Sequence, residues 1–80
     1  MTELVRTRTI RPSTRLESST SYKIDTSKVG VNDKLVVKIY HETENFEKTY
    51  EFTGYKVAKR NSIHFKVVNN DIVWTTVTPD

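Results

Sequence analysis

Four arginines, Arg6, Arg8, Arg11 and Arg15, stand within the first fifteen residues, where Glu3 is the only acid. A second group of cations, Lys56, Lys59, Arg60 and Lys66, surrounds one short connection later in the chain, with Tyr55 and His64 beside it. The chemistry these residue types offer is anion recognition. A guanidinium donates two parallel hydrogen bonds to a phosphate, whereas an ammonium neutralises it as a point charge. An aromatic ring nearby gives a nucleobase a surface to stack on. The same residues also have a plainer reading, with Lys59 and Arg60 as a solvated turn and Lys56 and Lys66 as outward strand positions.

Other chemistries find little footing. His41 and His64, even with Glu42 and Glu44 nearby, match no metal-ligand spacing, and adjacent strand residues such as His41 and Glu42 point to opposite faces. No Ser-His-Asp set, phosphate-cradling glycine loop or carboxylate pair is recognisable. The expectation is therefore no enzyme, no metal and no cofactor. The chain has no cysteine, which excludes disulfides and thiolate nucleophiles and points to a reducing compartment. No apolar run exceeds three residues, whereas a membrane span needs about 18. Arginines also interrupt the N-terminus where a signal peptide would be apolar. A soluble cytoplasmic protein that does not enter membranes is expected.

The elements that must position these cations are strands. With 80 residues there is room for one domain. Apolar content is 35%, and 12 threonines stand against a single alanine, which favours pleated surfaces over helices. Residues 1–20 form a basic stretch rich in Ser, Thr and Arg, with two readings: a flexible arm, or an edge strand over Leu4 to Arg11 with Val5, Thr7 and Thr9 on one side. The formal net charge is +3, and all of the excess lies in the first fifteen residues; residues 16–80 hold nine cations and nine acids.

From residue 21 the alternation has period two, so residues 21–80 are assigned as a small β domain. A short first strand covers Tyr22-Lys23-Ile24, and a stronger one has Leu35, Val37 and Ile39 inward. Residues 41–47 read as a polar loop. The next strand runs from Lys48 to Val57 with Tyr50 and Phe52 inward and a bulge or sharp bend at Gly54. Ala58-Lys59-Arg60-Asn61 connects it to a strand with Ile63, Phe65 and Val67 inward. Asn69-Asn70-Asp71 signals a turn, and Ile72 to Thr78 forms the last strand. That strand carries Trp74, as core or as a stacking platform. The expected fold is all-β, a small five-stranded barrel or meander preceded by the basic arm.

The stretch from Val31 to Val68 resembles the SH3-like barrel of the bacterial large-subunit ribosomal protein nineteen family. The matching pieces are Asn32-Asp33-Lys34-Leu35-Val36-Val37, Glu42-Thr43-Glu44, Phe52-Thr53-Gly54, Ala58-Lys59-Arg60-Asn61 and Phe65-Lys66-Val67. The resemblance implies an SH3-like barrel of a type associated with nucleic acids. A shorter likeness links Tyr22-Lys23-Ile24 and Val29 to Val37 to the swapped-hairpin antitoxin and transition-state regulator family, which implies DNA binding through a dimer. The four residues between those pieces are too few for that family's helix.

Charge and fold together lead to one main expectation: a non-enzymatic nucleic-acid-binding module, with RNA favoured over DNA. Its site would comprise Arg6, Arg8, Arg11 and Arg15 of the arm and Lys56, Lys59, Arg60 and Lys66 of the hairpin. The alternative is a protein-interaction module, such as a small viral or mobile-element protein that docks on a host protein. Open sheet edges, the acidic loop residues Glu42, Glu44 and Glu47, and the aromatics Tyr40 and Trp74 would serve it.

Overall fold

Period-two alternation carries most of the chain into strands. A computed structural model, which describes residues 4–13, 15–17 and 19–80, contains six of them among those residues. They are β1 (Val5–Ile10), β2 (Thr20–Asp25), β3 (Lys34–His41), β4 (Phe46–Thr53), β5 (Ser62–Val68) and β6 (Asp71–Trp74). The only helical pieces described are a 3₁₀ turn at Glu42–Glu44 and a single turn, α1 (Gly54–Val57). The fold is all-β. No described helix is long and apolar enough to cross a membrane.

The strands form two three-stranded sheets. In sheet A, β3 is central, parallel to β1 and antiparallel to β4; in sheet B, β5 is central and antiparallel to both β2 and β6. Six strands in two sheets replace the expected five-stranded barrel, for two local reasons. One lies at Gly54. A Cβ there would collide with the carbonyl oxygens of Gly30 and Asp33, and the Gly54 N–H donates to the Asp33 carbonyl at 2.7 Å. The chain can pass this close only without a side chain. It leaves sheet A here, turns through α1 and enters sheet B. Of the two features expected at Gly54, a bulge or a sharp bend, the chain makes the bend: a corner between sheets that ends β4 at Thr53, short of the expected Val57. Val57 falls into the core, and Tyr55 is left 66% exposed.

The second reason is β1. Val5–Ile10 pair with β3 in register from Val5 opposite Lys34 to Ile10 opposite Ile39. This segment is thus an edge strand and not a free arm, and Leu16 beyond it is 1% exposed in the core. β1 and Leu16, both within residues 1–20, pack on elements of residues 21–80. Met1 to Glu3, Thr14 and Ser18 of that stretch lie outside the described residues.

Alternation places the core between the sheets. Leu35, Val37 and Ile39 of β3 and Phe52 of β4 face Ile24 of β2, Ile63, Phe65 and Val67 of β5 and Ile72 of β6. Leu16, Val29 and Val57 close the ends, and Tyr50, expected inside, is half-buried. Trp74 is also half-buried, its ring set 4.9 Å from Phe52, 5.1 Å from Phe65 and 5.2 Å from Tyr50 between centroids. It is an inter-sheet packing residue. Asn69 and Asn70, both with positive φ, make the two-residue β5–β6 connection. Asparagine tolerates that left-handed backbone, and its hand matches the twist of a hairpin.

Candidate nucleic-acid interface

Three of the four arginines expected to form an arm, Arg6, Arg11 and Arg15, pair with acids. Arg6 leaves β1 and donates through Nε to Asp33 Oδ2 at 3.2 Å, across 27 residues of sequence. The same carboxylate accepts the Gly30 N–H at 2.8 Å. That backbone donor first, and Arg6 second, holds the Asp33 carboxyl below the usual carboxylate range against the opposing effect of burial. Arg11 lies 5.2 Å over the Tyr40 ring and 3.4 Å from Glu42. Arg15 pairs with Glu17 at 3.1 Å and stands 4.0 Å from Glu44, whose carboxylate also receives the Leu16 N–H. Arg8 alone of the four has no ion pair among the described residues, and its guanidinium donates to the Thr7 carbonyl.

The hairpin cations differ among themselves. Lys56 is held by Asp80 at 2.8 Å, and its ammonium is the main cause of that carboxyl's lowered pKa. Lys59 sits 4.8 Å over the Tyr55 ring, one turn along from it. Arg60 is exposed, and its backbone is fixed by the Thr26 hydroxyl donating to its carbonyl at 2.9 Å. Lys66 is exposed on β5. Lys59, Arg60 and Lys66 have no ion pair among the described residues.

The sheet register sorts these groups in space. Asp33, Gly54, α1 and Arg60 lie at one end of the molecule, where β3 begins and β4 stops. Glu42, Glu44 and the β5–β6 turn lie at the other, where the Asn70 N–H donates to the Leu16 carbonyl. Arg11 and Arg15 are thus carried away from Lys59 and Arg60, while Arg6 and Lys56 share their end. His41 is buried in sheet A with Nδ1 3.0 Å from the Thr43 hydroxyl, and His64 lies in sheet B beside Ser62. No group of three metal-binding side chains occurs among the described residues.

Sequence reasoning missed two members of the basic surface. Tyr55 was noted only as a neighbour of the cations. Its signal was its position out of phase just after Gly54. Lys23 was passed over, although Tyr22 and Ile24 inward force Lys23 outward on β2. Comparison with protein-family models, with curated proteins and with solved structures finds no match.

Proposed function

We propose that the protein is a non-enzymatic module that binds single-stranded nucleic acid, RNA ahead of DNA. The observation that supports this most is the α1–β5 corner. Tyr55 is exposed to 66%, an unusual position for so large a ring in a small domain, with the Lys59 ammonium over one face and exposed Arg60 next along the chain. An open aromatic face flanked by cations accepts a base by stacking and a phosphate by charge. The four arm arginines become secondary contributors. Arg11–Glu42 is an exposed pair worth little in water, so a phosphate can displace the carboxylate.

Titration of a labelled oligonucleotide by fluorescence anisotropy tests the reading. Tyr55→Ala is expected to weaken binding by about 1–3 kcal/mol, roughly 5- to 150-fold, with the fold unchanged because the ring is exposed. Absence of binding to mixed RNA or single-stranded DNA at low salt would remove the proposal.

A second reading has its own observation. Among the described residues β1 pairs on one side only, and Val5 on it and Leu4 just before it are more than half exposed. A protein partner, such as a host protein met by a small viral or mobile-element protein, would add a strand there. Pull-down after nuclease treatment separates the two readings.

A further inference from the structure

The two outer faces of the sandwich differ in charge. On sheet A, outward cations are accompanied by acids: Lys34 pairs with Glu51 at 2.6 Å, and Lys38, opposite Thr49, stands diagonal to Glu47 and Glu51 of β4. On sheet B the alternation of β2 and β5 turns Lys23, His64 and Lys66 outward. Lys23 is directly opposite His64, and Lys66 is opposite Ser21 two residues along β2. Lys23 and Lys66 are therefore diagonal neighbours, within reach of one another's field. No carboxylate lies between them. The acids of this face, Asp25 and Asp71, stand opposite Ser62 and Val68, at the two ends of β5.

One more cation borders the face. Arg60 immediately precedes β5 and leads back to the Tyr55 and Lys59 corner. Like charges placed side by side oppose folding slightly. They are useful when an anion lies across them.

We propose that the exposed face of sheet B is the track for the backbone of the single strand, with Lys23 and Lys66 contacting phosphates and Arg60 at its margin. The proposal rests on the nucleic-acid reading and adds the path of the ligand. Alternate residues of a strand are about 6.6 Å apart, a spacing comparable with that of successive phosphates in an extended chain. A strand entering at Tyr55 would run from Arg60 along β5 past His64 to Lys66.

The test uses the full chain and labelled 12-nucleotide RNA and DNA of mixed sequence, with affinity measured across a salt series. Lys23→Gln with Lys66→Gln is expected to reduce the slope of log K against log salt by about 1.4, the loss of two phosphate contacts on a single strand. Lys34→Gln with Lys38→Gln, on sheet A, serves as the comparison and is expected to leave the slope unchanged. All four positions are on strand surfaces, and circular dichroism confirms that each variant is folded. Binding by the unaltered chain with the same slope in the sheet B variant overturns the track and leaves the nucleic-acid reading standing. Equal losses from both pairs also overturn it, since they would indicate diffuse attraction. No binding by the unaltered chain removes the reading and the track together.

Discussion

Asp33 illustrates how a residue legible as a turn acquires a second task. Its carboxylate accepts the Gly30 N–H within the turn and Arg6 from β1, so it closes a turn and ties down a strand at once. Both partners favour the ionised form, which puts its pKa in the folded chain below that of the unfolded chain. The stabilisation is therefore complete above the unfolded value and is lost as pH falls through the lower, folded one. Asp33→Asn is expected to be less stable than the parent chain at pH 7, with the difference shrinking below about pH 4. Urea midpoints at pH 7 and pH 3 check this, and a difference that stayed constant would contradict it. Asn32-Asp33 was readable as a turn from its residue types. Arg6 as its partner was not, because nothing local encodes a contact across 27 residues.

At the scale of elements, β1 and the segment behind it have opposite weights. No residue of β1 is buried, whereas Leu16 is 1% exposed in the core. Deleting residues 1–11 is expected to leave a folded chain with an open β3 edge, prone to self-association. Deleting residues 1–20 also removes Leu16, a loss of about 2–5 kcal/mol by analogy with core truncations, enough to unfold a domain of this size. Circular dichroism and light scattering on the two truncations distinguish them; equal behaviour would show that Leu16 is not the anchor. The sequence showed the alternation of Val5, Thr7 and Thr9. Composition obscured it, because a stretch rich in Arg and Ser reads as unable to fold by itself. It does not fold by itself: β3 supplies its hydrogen bonds, with Val5 opposite Lys34.

For the whole molecule the relevant quantity is where the charge excess ends up. By position in the chain it belongs to the first fifteen residues. In three dimensions Arg6, Arg11 and Arg15 are each met by an acid from the remainder. Those acids are withdrawn from balancing the other cations, and unpaired lysines are left on sheet B. A ligand that binds this native face must stabilise the fold by linkage. An oligonucleotide at a hundredfold excess over its Kd is expected to add about 2.7 kcal/mol, moving the thermal midpoint of so small a domain by roughly 10 °C or more. An unchanged midpoint under those conditions would argue that the native surface does not bind.

The sequence by itself determined the all-β class, the turn at Asn69-Asn70 and most of the core from Leu35 to Val67. Those features are local. Alternation of period two assigns each strand its inner face, and asparagine accepts the backbone a tight turn needs. Tertiary structure decided the rest: the parallel docking of β1, the corner at Gly54, the acids that meet the arginines and the face that keeps its lysines unpaired. Each of these depends on which distant segments become neighbours, and register across the sheets, which no single stretch of the chain specifies, sets that.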